Sequence, residues 1–201
     1  MERRDIFESV GKCGLCAGLA PALGLVSVLG GQEKPAVAEP AALSHSLQER
    51  MDFAENWVRN FMRALDENLD GPARAKVMEA NGRACALDYI KKANIQIKPV
   101  TFDQWLDKVG KRPSDGTVRV EGRTIYYQFL TNYQGKPAPE GSCLCPLVET
   151  KPAGLSGTYC HCSVGYIKEF FSRTFGQPVK VEIVSASLRG DKRCQFKIDL
   201  A

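Results

Sequence analysis

Apolar residues recur at steps of three and four in two stretches of the first half of the chain. The first stretch covers residues 43–69 and predicts one long amphipathic helix. Gly71-Pro72 ends it, and Pro72 can open a second helix over about 73–93. We expect these helices to pack as an antiparallel hairpin. The apolar side of the second helix is expected to comprise Val77, Ala80, Ala84, Leu87 and Ile90.

The second half of the chain mixes strand and helix patterns. A short helix capped by Thr101 and ended by Gly110 precedes it, and Glu121-Gly122 is typical of a hairpin turn. Arg189-Gly190-Asp191 is expected to form a second turn between strands. The expected elements are strands over 117–121, 124–131, 179–187 and 193–200 and a helix over 163–175. The pattern predicts an α+β fold, an N-terminal helical hairpin packed on an antiparallel sheet with one inserted helix.

The N-terminus has the pattern of an export signal. Arg3-Arg4 precede two apolar residues, and no charge occurs between Gly14 and Gly31. Ala36-Val37-Ala38 provides the small residues that a signal peptidase requires. Residues 1–38 therefore resemble a twin-arginine signal, and residues 39–201 are expected to form one domain. This predicts an exported, extracytoplasmic protein that meets the membrane only through its signal; without a signal, the protein would be cytoplasmic.

Composition limits the classes of protein that fit the chain. Of the 201 residues, 44% are apolar and 25% are charged, which suits a globular domain with a buried core. The net charge of +4 is small, and the basic residues of the chain are scattered along the sequence. Nucleic-acid binding is therefore not expected. No common catalytic motif of the hydrolase, zinc-protease or phosphate-loop kind occurs in the sequence.

The eight cysteines are the main chemical signal. Two of them lie in the predicted signal, and four form the pairs Cys143-x-Cys145 and Cys160-x-Cys162. In an extended chain, residues two apart share a face, so each pair could present two sulfurs to one point. Four thiolates suit a structural zinc ion, and an iron-sulfur cluster uses the same ligands. Disulfides between the pairs and unlinked thiols are the alternatives.

The remaining candidate residues are isolated along the sequence. His161 would point away from the sulfurs of an extended Cys160-x-Cys162 pair, which favours a supporting role over a ligand role. Cys85 lies in the second helix and is expected to be a buried structural thiol. Cys194 alternates with Phe196 in a strand and is a further candidate ligand.

The last quarter of the chain resembles the vinyl-4-reductase-like domain. The resemblance rests on Tyr159-Cys160-His161-Cys162, on Phe175-Gly176-Gln177-Pro178, and on the closing G-x-x-x-C-x-F motif of residues 190–196. That domain belongs to the superfamily of nitric-oxide-signalling and Golgi-transport ligand-binding proteins. The resemblance implies an apolar ligand pocket with a zinc site at its edge.

The resemblance also suggests a second ligand set. Cys160 or Cys162, Glu182 and Cys194 fit three ligand positions of the related aromatic sensors, but Ser185 stands where those sensors have a cysteine. This departure favours the four C-x-C cysteines as ligands, with Cys194, His161 and Glu182 as additional or supporting residues.

Two functions follow as hypotheses. The first is an exported, zinc-stabilised domain that binds a small apolar molecule, with a pocket expected at Trp57, Phe61, Tyr126 and Tyr166. The second is a hydrolase, because the closing motif also resembles the aminothiazoline-carboxylate hydrolase family. The sequence leaves open whether the domain forms a homodimer.

Overall fold

The chain was analysed as a computed structural model, which describes residues 45–111, 116–131, 136–143, 145, 147–148 and 154–200. The predicted export signal over residues 1–38 lies outside these residues and stays a prediction. None of the helices in the described ranges is long and apolar enough to span a membrane.

Side-chain caps start the first three helices. Helix α1 (Leu47–Asn68) begins at a capping box in which the Ser46 hydroxyl accepts from Glu49 N–H and the Glu49 carboxylate accepts from Ser46 N–H. At α2 (Gly71–Lys92), the Asp70 carboxylate accepts from Ala73 N–H. A second capping box, formed by Thr101 and Gln104, starts α3 (Phe102–Gly110). Each cap satisfies backbone donors that a helix start would otherwise leave unpaired.

Four antiparallel strands form one sheet. They are β1 (Val118–Glu121), β2 (Thr124–Gln128), β3 (Val179–Ser185) and β4 (Gln195–Leu200), in the order β1-β2-β4-β3. Gly122, with φ of 59°, allows the tight turn between β1 and β2. Helix α4 (His161–Phe175) lies between β2 and β3 in the chain. The fold is therefore α+β, with two N-terminal helices forming a hairpin and one inserted helix, as the sequence pattern predicts.

Among the described residues, most of the large buried side chains belong to two clusters. The larger cluster lies between the sheet, α3 and α4 and includes Ile125, Phe171 and Phe196. The smaller cluster, which we call the second core, joins α1 and α2 to the segment that precedes α4. Its buried members are Val58, Met62, Met78, Cys143, Val148, Leu155 and Tyr159.

Helices α2 and α4 pack closely through two glycines. A Cβ atom on Gly82 would lie 1.8 Å from the carbonyl oxygen of Cys162, and one on Gly165 would lie 1.9 Å from that of Glu79. No side chain fits at either position, so the helices approach at the level of their backbones.

This crossing also changes which face of α2 is buried. The sequence pattern favoured a face with Val77 and Ala84, but both are exposed, and the buried residues are Met78, Gly82 and Ala86. Cys85, expected to be buried, is exposed. The expectation was wrong because small residues, which carry little hydropathy, form the contact with α4.

Candidate functional site

All six cysteines of the described residues carry free thiols, and each lies near at least one other. Their mutual electrostatic effects divide them into two groups. Cys85, Cys145 and Cys162 form one group, next to α2. Cys143, Cys160 and Cys194 form the other, which reaches the sheet. The two C-x-C pairs therefore contribute one cysteine each to both groups.

This division arises from the local backbone. Cys160 ends a 3-10 helix (Gly157–Cys160), and Cys162 is in the first turn of α4. Residues two apart on a helix are rotated by about 200°, so their side chains point to opposite sides. The expected extended conformation at Cys160–Cys162 was wrong for this reason. Cys162 turns towards Asn81 of α2, whose side-chain N–H donates to its sulfur at 3.6 Å.

Tyr159 connects the two groups. Its hydroxyl and the thiol of Cys145 form a hydrogen bond of 3.0 Å. Burial raises the pKa of the Tyr159 hydroxyl, and the nearby thiols of Cys145, Cys162 and Cys143 raise it further. The hydroxyl is therefore protonated at neutral pH. Sequence analysis missed this residue, although it stands directly before Cys160.

Burial also keeps two of the thiols protonated. It is the largest cause that raises the pKa of Cys160 to about 12, with the neighbouring thiol of Cys194 adding to the effect. The pKa of Cys162 rises to about 12, again mainly by burial, with Cys85 and Cys145 as further causes. Both residues are neutral thiols at physiological pH unless a positive charge approaches.

The four cysteines predicted as zinc ligands do not form a metal-binding arrangement as placed. Across the described ranges, no group of three or more His, Cys, Asp or Glu side chains is positioned to hold a metal ion. The structure brings Cys143 near Cys160 and Cys145 near Cys162, and the four-ligand set stays a prediction.

The supporting residues suggested by the sequence lie in three different places. His161 is half-buried beside Arg189, and burial lowers its pKa. It lines an open, polar recess of about 680 Å³ together with Asp66 and Arg74. Cys194 accepts a hydrogen bond from Ser187 N–H at 3.4 Å. Glu182 is exposed on β3 and pairs with Lys180, whose ammonium lowers its pKa.

The four predicted pocket residues are also distributed over the surface and the core. Trp57 and Phe61 stack at 5.2 Å on α1 and are 57% and 38% exposed. The guanidinium of Arg119 lies over the ring of Tyr126, with its carbon 4.0 Å from the ring centre. Tyr166 lines an aromatic recess between α2, β2 and α4. Trp57, Phe61 and Tyr126 do not line it.

The recess at Tyr166 is lined mainly by aromatic side chains, and its volume is small. Its walls are Tyr89, Tyr127, Phe129, Tyr166, Ile167, Phe170 and Phe171. Its volume of about 20 Å³ is about that of one water molecule, far below that of a small-ligand pocket.

The family model described as "Family of unknown function (DUF6144)" matches residues 30–201. The chain belongs to this family. No curated protein matches the chain. Neither finding tests the resemblance to the vinyl-4-reductase-like domain or the resemblance to the hydrolases. These two resemblances stay predictions.

One solved structure similar to this chain is the crystal structure of a trafficking protein particle complex subunit 3 from Naegleria fowleri covalently bound to palmitic acid. The two share 12% identity with a TM-score of 0.42, over 77% of this chain and 96% of the other. The sequence identity and the TM-score are both too low to assign a ligand to this protein.

Proposed function

We propose that the protein is a zinc-stabilised domain whose metal ligands are Cys143, Cys145, Cys160 and Cys162, and that it binds a small apolar molecule. The observation that carries the metal proposal is the cross-pairing of the two C-x-C motifs. Cys143 lies near Cys160, and Cys145 lies near Cys162, around the single side chain of Tyr159. Cys143 is a buried member of the second core, and Cys145 and Cys162 pack against it.

The chemistry of the buried thiols supports this proposal. Zinc binds thiolates, and its charge displaces the proton of a nearby thiol. Cys160 and Cys162 are neutral thiols because burial disfavours their ionised forms, and zinc would compensate for that loss of solvation. Binding would release protons and link the α4 start to the Cys143–Cys145 segment. With four thiolates and no open position, such a centre is structural.

The local backbone provides a way for the thiols to converge. Cys160 belongs to a single 3-10 turn, whose hydrogen bonds have poorer geometry than those of an α-helix. A modest change in this turn would redirect Cys160 without disturbing the α4 body, which packs on the sheet through Ile167 and Phe171. The proposal therefore predicts that metal binding reshapes the Gly157–Cys160 turn.

Zinc content of the full chain, purified under reducing conditions, tests the metal proposal. We expect about one zinc per chain in the parent protein and a large loss when any of the four ligands is replaced by serine. Cys85→Ser and Cys194→Ser are matched controls that should retain zinc. A parent protein that neither contains zinc nor takes it up after reduction contradicts the proposal, and zinc loss in Cys85→Ser contradicts the proposed ligand set.

The ligand part of the proposal concerns the aromatic recess at Tyr166, which must enlarge before a small molecule can enter it. It is enclosed by side chains of two helices and a strand, and the proposal predicts that its aromatic walls move apart when a ligand binds. Adding a polarity-sensitive apolar dye to the full chain should give saturable fluorescence that Tyr166→Trp reduces by filling the recess. Trp57→Ala, at the exposed stack, should leave dye binding unchanged. The absence of saturable binding, or equal loss in both variants, contradicts a ligand at this recess.

A further inference from the structure

The crossing of α2 and α4 places an exposed thiol against a partly buried one. Gly82 lies over the carbonyl oxygen of Cys162, where a Cβ atom would be only 1.8 Å from that oxygen. Cys85 follows Gly82 by three residues, so it lies on the next turn of the same region of α2. The backbones of the two helices therefore approach closely beside both cysteines.

The side chain of Cys162 lies between two residues of α2. Asn81 Nδ2 donates to the Cys162 sulfur at 3.6 Å. Asn81 and Cys85 are four residues apart and share one helix face. The Asn81 hydrogen bond and the backbone contact at Gly82 thus place the Cys162 sulfur beside the face of α2 that carries Cys85.

The two thiols differ in their access to solvent. Cys85 is exposed, whereas Cys162 is partly buried. Cys85 is therefore the thiol that an oxidant in solution meets first, and Cys162 is the thiol that completes the bond.

We infer that Cys85 and Cys162 form a redox-active dithiol that closes into a disulfide joining α2 to α4. The inference rests on contact at the helix crossing and requires no metal. It also bears on the proposed function, because Cys162 is one of the proposed zinc ligands. The sulfur of Cys162 cannot bind zinc as a thiolate while it is part of this disulfide. Oxidation of a zinc-bound protein would therefore release the zinc ion.

The reaction uses a small disulfide such as oxidised glutathione as the oxidant. The Cys85 thiolate attacks one sulfur of glutathione disulfide, and the first glutathione leaves as a thiolate that takes up the proton Cys85 has lost. The sulfur of Cys162 then attacks the mixed disulfide at Cys85, and the second glutathione leaves with the Cys162 proton. Two protein thiols are oxidised, and one disulfide is reduced to two thiols. The predicted export of the protein would expose it to such oxidising conditions.

The test uses the reduced full chain, with and without a chelator, exposed to glutathione disulfide and quenched with an alkylating reagent. Peptide mapping by mass spectrometry should find Cys85 linked to Cys162 as the main product, with two fewer free thiols per chain. Zinc content is measured on the same samples. A protein that holds no zinc after reduction and zinc addition contradicts the proposed function alone, whereas the disulfide map decides the present inference.

Two variants test whether the disulfide forms specifically between Cys85 and Cys162. Cys85→Ser should abolish the linked product while keeping the parent circular dichroism spectrum, since its side chain is exposed. Adding Ala84→Cys to that variant restores a thiol rotated by about 100° on the helix, and it should not link to Cys162. Accumulation of a stable mixed disulfide on Cys85, or linkage of Cys162 to Cys145 with Cys85 left free, overturns the inference.

Discussion

The backbone contact between α2 and α4 makes a strong prediction for Gly165→Ala. The added Cβ would lie 1.9 Å from the Glu79 carbonyl oxygen, 2.6 Å from its carbon and 2.7 Å from its Cα. Close carbon–oxygen contacts in proteins are about 3.3 Å or longer. The helices must therefore separate by roughly 1.4 Å at the crossing, because backbone atoms cannot rotate away as a side chain would.

The energetic cost follows from this separation. Overpacking of a core typically costs about 1–3 kcal/mol, and a clash with backbone atoms belongs at the upper end of that range. We expect Gly165→Ala to lower the free energy of unfolding by about 3 kcal/mol or more. For a domain of this size, that loss corresponds to a fall in Tm of roughly 6–12 °C. Urea denaturation and thermal melts of the reduced protein measure both quantities.

Gly110→Ala is the matched control. Gly110 is also a helical glycine, but a Cβ atom there would have no atom within 4 Å. Alanine has a higher helix propensity than glycine, so this variant should be as stable as the parent or more stable by up to about 1 kcal/mol. A Gly165→Ala protein with the stability of the parent would refute the backbone contact between α2 and α4.

Three further predictions concern the thiols, a helix cap and the core. Burial raises the pKa of Cys160 and Cys162 from 9.0 to about 12, so the metal-free, reduced protein should keep full stability below pH 9.0 and lose it as the pH rises towards 12. Urea melts should show each thiol lowering the unfolding free energy by up to about 1.4 kcal/mol per pH unit there, and a flat profile contradicts the burial. Thr101→Ala removes the cap of α3 and should cost about 1 kcal/mol in urea melts; no change would mean that the capping box is dispensable. Phe170→Ala empties a side-chain site that is 1% exposed and should cost about 3–5 kcal/mol, and a loss below 1 kcal/mol contradicts its place in the core.

Local signals explain why the sequence predicts the elements well. Thr101 and Gly176 mark helix ends through chemistry that depends on a few neighbouring residues, a capping box and a left-handed C-terminal glycine with φ of 66°. Glu121-Gly122 likewise marks the first hairpin turn, where Gly122 adopts a positive φ. The α+β class follows from these elements in their chain order.

Tertiary packing explains the errors. Gly82 and Gly165 allow α2 to meet α4 at the backbone, and no pattern of apolar residues reveals which face has the small residues that this contact needs. This contact leaves Cys85 exposed on α2, on the face that carries Asn81, the hydrogen-bond donor to Cys162. At the cysteines, spacing alone cannot distinguish an extended C-x-C motif from a helical one, and the second pair is helical.

The involvement of Tyr159 was equally hidden from sequence analysis. A tyrosine beside a C-x-C motif is indistinguishable from any core aromatic until its hydroxyl is seen 3.0 Å from the Cys145 sulfur. The prediction that survives as a proposal, the four-cysteine zinc centre, rests on the proximity of Cys143 to Cys160 and of Cys145 to Cys162.

X-ray absorption at the zinc edge of the full chain, purified under reducing conditions, tests the central claim most directly. The proposal predicts a first shell of four sulfur atoms at about 2.3 Å, with one sulfur replaced by a lighter atom in any ligand-to-serine variant that retains zinc. A first shell of nitrogen and oxygen atoms, or a protein that holds no zinc after reduction and zinc addition, would contradict it.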